Sequence, residues 1–130
     1  MIVLKDEGLY CPEGDFFIDP LLPCKNAVIT HAHADHARPG MKNYICTPET
    51  SEIMKLRISK DLLIKEVEYN NEIQINSVKI TFIPAGHVLG SSQIKIDNGS
   101  EVTIITGDYK RASDPTCKAF EVHELSLIHI

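Results

Sequence analysis

Three histidines and one aspartate fall within six positions in the stretch Thr30-His31-Ala32-His33-Ala34-Asp35-His36-Ala37. Neutral imidazole and carboxylate are the preferred ligands of zinc and its neighbours. Residues two apart in an extended segment point the same way, so His31 and His33 can converge on one ion. Asp35 and His36 are displaced from that pair and suit a second ion. The intervening alanines let the backbone fold tightly. The plain alternative is a solvated histidine-rich loop or a purification tag. The run is internal, contains an aspartate and follows the apolar Ala27-Val28-Ile29, all of which favour metal binding.

Two further stretches present metal-type residues. One is Pro84-Ala85-Gly86-His87-Val88-Leu89-Gly90-Ser91-Ser92. A lone histidine is usually structural, but His87 follows an apolar run and lies between glycines, which permit close backbone approach to a ligand. The other is Thr106-Gly107-Asp108-Tyr109, where a carboxylate follows a buried run and a glycine, natural for a ligand bridging two cations. Lys110 and Arg111 could touch phosphate, as could Arg38; for all three a solvated basic side chain is an equally balanced reading. Ser91 and Ser92 read as turn residues or as residues supporting the metal ligands rather than as nucleophiles, because no base and orienting group accompany them.

The elements that must position these residues are short. Runs at 2–4, 9–11 and 16–18 read as strands separated by turn chemistry at Pro12-Glu13-Gly14 and closed by Asp19-Pro20. Residues 27–30 read as a buried strand with the histidine cluster at its C-terminal end, where open α/β sheets place their chemistry. A helical turn is expected at 36–40 and another short strand at 44–46. Thr47 suits a helix N-cap, Pro48 the first helical position and Glu49 the first turn. That helix should run to about residue 58, with Ile53, Met54, Leu56 and Ile58 facing the core. Apolar stretches at 62–64 and 67–69 follow. Alternation then predicts a hairpin through Asn76-Ser77 and another through Asp97-Asn98-Gly99-Ser100, the Asn-Gly step being a strong hairpin signal.

With 130 residues, 43% of them hydrophobic and 24% charged, the chain can build one small core and is not wholly disordered. No apolar run reaches the roughly 20 residues of a membrane span, and no membrane role is expected. Met1-Ile2-Val3-Leu4-Lys5-Asp6-Glu7 lacks the layout of a secretory signal. Cys11, Cys24, Cys46 and Cys117 form no Cys-x-x-Cys pair, so reduced thiols and a cytoplasmic location are expected. The net charge of -5 argues weakly against a nucleic-acid partner, although bound divalent ions would offset part of it.

Together the three stretches resemble a known superfamily. His31-Ala32-His33-Ala34-Asp35-His36 matches the H-x-H-x-D-H signature of the metallo-β-lactamase fold. Ala85-Gly86-His87-Val88-Leu89-Gly90-Ser91 and Thr106-Gly107-Asp108-Tyr109 resemble its nuclease branch, which includes the β-CASP RNA-processing enzymes and the DNA cross-link repair nucleases. The wider wording is most similar to the bacterial ligase-associated DNA exonucleases. It includes Gly8-Leu9-Tyr10-Cys11-Pro12, Asp35-His36-Ala37-Arg38-Pro39-Gly40, Cys46-Thr47-Pro48-Glu49-Thr50, Gly107-Asp108-Tyr109-Lys110-Arg111 and Asp114-Pro115-Thr116-Cys117. The resemblance implies an α+β fold, a metallo-β-lactamase αββα sandwich of which this chain covers about the N-terminal half. It implies two zinc ions: His31, His33 and His87 on one, Asp35 and His36 on the other, Asp108 bridging. Asp35, His36 and Asp108 would be the catalytic residues. The implied reaction is phosphodiester hydrolysis by a hydroxide between the ions, with Asp35 also orienting it and DNA favoured over RNA. An ATP-dependent DNA ligase is an implied partner. A small-molecule hydrolase of the same fold, such as a thioesterase or lactonase, and an RNA-processing nuclease are the alternatives.

The family pattern continues through further strands, an inserted nucleic-acid-clamping domain and a later histidine that completes the second zinc site. That continuation leads to the expectation that residues 1–124 are part of a metallo-β-lactamase domain whose second zinc site is incomplete. It also leaves activity of the 130-residue chain itself in question. Nothing around His123 or His129 matches the missing motif. Residues 125–130, Leu-Ser-Leu-Ile-His-Ile, resemble a translated sequencing adapter and are expected to be a non-native tail, an ordinary apolar strand being the alternative.

Overall fold

A computed structural model describes residues 2–33, 36–86 and 89–106, and the backbone of 126–128. Two sheets face each other. The first is six-stranded. It begins with three antiparallel strands, β1 (Val3–Lys5), β2 (Gly8–Cys11) and β3 (Phe16–Ile18). It continues in parallel through β4 (Asn26–Val28), β5 (Asn43–Cys46) and β6 (Ile64–Glu66). The second sheet is an antiparallel meander of β7 (Ile73–Ile75), β8 (Val78–Pro84), β9 (Ser92–Asp97) and β10 (Val102–Ile105). A last strand, β11 (Ser126–Ile128), lies parallel to β10 at its edge.

The two-residue period of the strands explains the layering. In β4 and its extension, Val28 packs into the core between the sheets, while Ala27 and Ile29 face the opposite side. The inter-sheet core combines Cys11, Phe16, Ile18 and Val28 with Val78, Ile80, Phe82, Ile94, Ile96 and Ile105. The outer cluster combines Ala27, Ile29, Tyr44 and Cys46 with Met54 of the single helix among the described residues, α1 (Pro48–Arg57). The order is therefore helix, sheet, sheet, an α+β arrangement of the expected kind.

The hairpin at 73–84 turns on Asn76, whose φ of 52° is the left-handed geometry that asparagine tolerates. In the hairpin at 92–105, Ile94 pairs Ile105 and Ile96 pairs Thr103. Helix α1 starts as anticipated, with the Thr47 hydroxyl accepting from the Thr50 amide and Pro48 in the first turn. Two expectations, the core-facing Leu56 and the helical turn at 36–40, need correction. Leu56 points to solvent, 89% exposed, because it lies away from the Met54 face. The apolar stretches at 62–64 and 67–69 give one three-residue strand, β6, with Leu63 outside it and exposed. Residues 36–40 form an irregular turn, in which His36 and Ala37 amides both bond the His33 carbonyl.

Candidate metal centre

Parallel pairing brings the C-terminal ends of β3 and β4 side by side. Chain beyond β3 supplies Asp19, and chain beyond β4 supplies Thr30 and His31. Asp19 has a φ of 45° and donates its amide to the Val28 carbonyl, which turns its side chain toward Thr30. Its Oδ1 accepts from the Thr30 amide at 2.8 Å. Its Oδ2 accepts from the Thr30 hydroxyl at 2.5 Å and from His36 Nδ1 at 2.7 Å.

The tautomers follow from this network. The Thr30 hydroxyl has one proton, and the carboxylate takes it. Its lone pair therefore accepts from His31 Nδ1, 3.0 Å away. His36 Nδ1 gives its own proton to Asp19. Both imidazoles are thus held in the form whose basic nitrogen is Nε2, the ligating tautomer set by an outer carboxylate. His31 is fully buried and the His36 side chain is only 12% exposed. Burial pushes the Asp19 carboxyl above the usual carboxylate range, against the downward pull of the His36 and Thr30 hydrogen bonds.

Ligand atoms of Asp19, His31 and His36 all lie within 4.8 Å of one another, so these three could hold an ion. Both Asp19 oxygens are already engaged, however, which suits an orienting role better than a ligating one. The ring of His33 stands 4.9 Å from that of His31, at 80°, while His36 stands 4.1 Å from it at 42°. The three imidazoles therefore form one group around His31, and this donor set fits a divalent ion of the zinc class. Sequence reasoning missed Asp19, reading it as a strand terminator. No local signal separates it from a turn aspartate, because its part depends on β3 lying beside β4.

Asp35, His87, Asp108, Lys110 and Arg111 lie outside the described residues. Their flanks are described. Ala85 and Gly86 leave the end of β8, Thr106 leaves the end of β10 fully buried, and the Ser92 amide donates to the Thr30 carbonyl at 2.7 Å. Arg38 is half-buried, and its carbonyl accepts from the Tyr44 hydroxyl at 2.6 Å. Ser92 is the first residue of β9 rather than a turn residue, and donates its hydroxyl back to the Gly90 carbonyl at 3.2 Å.

The described residues have the architecture of a metallo-β-lactamase from Cronobacter sakazakii, with a TM-score of 0.60 at 15% identity over 82% of this chain and 54% of that one. The chain has the metallo-β-lactamase fold. A probable DNA ligase of Opitutus terrae is 28% identical over 114 residues, 83% of this chain and 11% of the ligase. The endoribonuclease YSH1 of Saccharomyces cerevisiae is 36% identical over 63 residues, 48% of this chain and 8% of the enzyme. Together these likenesses bear out the resemblance to nucleases of the metallo-β-lactamase fold. The chain spans about a tenth of the length of these curated relatives. No family profile matches it. No helix among the described residues is long and apolar enough to cross a membrane.

Proposed function

We propose that this chain is part of a zinc-dependent nuclease that hydrolyses DNA phosphodiesters as an exonuclease. The observation that carries the reading is the grouping of His31, His33 and His36 at a strand end, with two of the rings fixed by the Asp19 network. His31, His33 and His87 would hold one zinc; Asp35 and His36 the other, with Asp108 between them. Divalent ions there would supply Lewis-acid activation of water and charge neutralisation at phosphorus. Asp35, His36 and Asp108 would be the catalytic residues, and Arg38, Lys110 and Arg111 would contact phosphate. Asp19 would keep His36 in one tautomer and one orientation, through the 2.7 Å hydrogen bond.

The likeness to a probable DNA ligase supports DNA as substrate and a ligase as partner. The likeness to an endoribonuclease supports a second reading, an RNA-processing nuclease. Free thiols at Cys11, Cys24 and Cys46 support a reducing, cytoplasmic setting. Residues 1–124 would be part of a longer metallo-β-lactamase domain and 125–130 a foreign tail. Sequencing the source DNA past codon 124 tests that division: a frame continuing to a downstream histidine motif is expected, and a native stop codon after residue 130 would overturn it.

The activity test is a zinc-loaded assay of the product of that continuing frame on end-labelled DNA, RNA and a thioester. Stepwise release of nucleotides from DNA, lost in His33→Ala, is expected. Internal cleavage of RNA alone would select the second reading. Thioester hydrolysis without action on either nucleic acid would overturn both.

A further inference from the structure

Helix α1 touches both ligand-bearing loops, one at each end. At its N-terminus the Thr47 and Thr50 hydroxyls donate to the Gly90 carbonyl, at 2.8 and 3.0 Å. Both threonines are fully buried. Gly90 has a φ of 81°, and a Cβ there would fall 2.7 Å from the Thr50 amide and hydroxyl, so only glycine brings this carbonyl so close. Gly90 is three residues after His87 in the sequence. The same segment is closed at its base by the Ala85 amide on the Ser91 carbonyl, at 3.2 Å. At the other end of the helix, Arg57 donates through Nε to the Ala32 carbonyl at 3.2 Å and through Nη2 to the Ala37 carbonyl. Those carbonyls bracket His33 and His36.

Helix capping does not account for these contacts. An N-cap needs only the Thr47 oxygen accepting from the Thr50 amide. The Thr50 hydroxyl lies 3.1 Å from the capping Thr47 oxygen but also reaches past the cap to Gly90, and a C-terminal arginine usually serves its own helix's carbonyls. Here both side chains reach out to other loops. We propose that α1 is a strut for the metal centre: Thr50 is a positioning residue for the His87 loop, and Arg57 is a positioning residue for the loop of His31, His33 and His36. The assignment rests on the metal reading above. Each acts through the backbone carbonyls of a loop.

The test uses the full 130-residue chain and zinc alone, titrated against a competing chelator. Thr50→Val keeps the buried volume and the Thr50 amide's bond to the Thr47 oxygen, but deletes the Thr50 hydroxyl's contacts with Gly90 and Thr47. Arg57→Met keeps the aliphatic stem. Each should weaken zinc binding about tenfold, the low end for loss of a ligand-orienting hydrogen bond, while far-UV circular dichroism stays unchanged. Thr50→Ser should restore the parent affinity. The pattern in a His87→Ala background separates positioning from general loosening. The Thr50→Val loss should vanish there, and the Arg57→Met loss should persist. Equal losses for both variants in both backgrounds would overturn the strut, as would undiminished binding in the single variants. If His87→Ala itself bound zinc like the parent, the ligand assignment would fall, and the role of Thr50 with it.

Discussion

The amide of Ser92 donates to the carbonyl of Thr30 at 2.7 Å, so the strand that follows the His87 loop is bonded to the residue that precedes His31. Ser92 pairs with Pro84 in the second sheet, while Thr30 extends β4 of the first. One backbone hydrogen bond therefore joins the two sheets at the edge where the ligand-type residues gather. Thr30 is engaged on every side: its carbonyl by Ser92, its amide and hydroxyl by Asp19, and its hydroxyl oxygen by His31. A buried backbone with all its polar groups satisfied is costly to distort, and this gives the His31 loop a fixed base.

Asp19 is the acceptor that this base depends on. Asp19→Ala would strand the buried Thr30 amide and release His36, and should destabilise the fold by about 1–3 kcal/mol, the cost of an unsatisfied buried group. Zinc affinity should fall by about 10–100-fold, as for loss of an orienting carboxylate. Urea denaturation reads the first effect and chelator competition the second. Unchanged affinity in a folded Asp19→Ala protein would show that His36 needs no orienting partner.

Gly90 and Gly99 make a matched pair. Both have left-handed φ values, 81° and 92°, so alanine at either position carries a backbone cost of about 1 kcal/mol. Only at Gly90 would the new Cβ collide, with the Thr47 and Thr50 hydroxyls; at Gly99 nothing lies within 4 Å. Gly90→Ala should therefore cost a further 1–3 kcal/mol or so, the range for overpacking. Equal denaturation midpoints for the two variants would rule out the collision.

Residues whose signal is local were legible in the sequence. The Thr47-Pro48 start of α1 and the turns at Asn76 and at 97–100 appear where local chemistry put them, because capping and turn geometry need only neighbours. The His31-x-His33 spacing was equally plain. The role of Asp19 was not, since it depends on β3 lying beside β4, a long-range pairing that no short window shows. Arg57 and Thr50 were hidden for the same reason: their partners, Ala32, Ala37 and Gly90, are tens of residues away.

The thiols should differ sharply in reactivity. Burial pushes the Cys46 thiol up to about 12, so almost none is thiolate near neutrality. Cys11 is also fully buried and raised by desolvation. Cys24 is half-buried, beside the Met41 sulfur at 3.5 Å. Among these three, iodoacetamide at pH 8 should label Cys24 first, with Cys11 and Cys46 reacting only after unfolding. Peptide mass spectrometry checks this, and early labelling of Cys46 would contradict its place beneath α1.

Met54 and Leu56 test how α1 is docked. Both are apolar and only two positions apart. A helix turns by 3.6 residues, which sets them on nearly opposite faces. Met54 is fully buried against Ala27, Ile29 and Tyr44, whereas Leu56 is 89% exposed. Met54→Ala removes buried carbon and leaves a cavity, so it should cost about 2–5 kcal/mol. Leu56→Ala removes almost nothing from contact and should stay within about 0.5 kcal/mol of the parent. Urea denaturation of the two single variants decides it. Because Met54 seats the helix that carries Thr50 and Arg57, Met54→Ala should also weaken zinc binding, and Leu56→Ala should leave it unchanged. Equal costs for the two substitutions would mean that α1 is rotated from the face described.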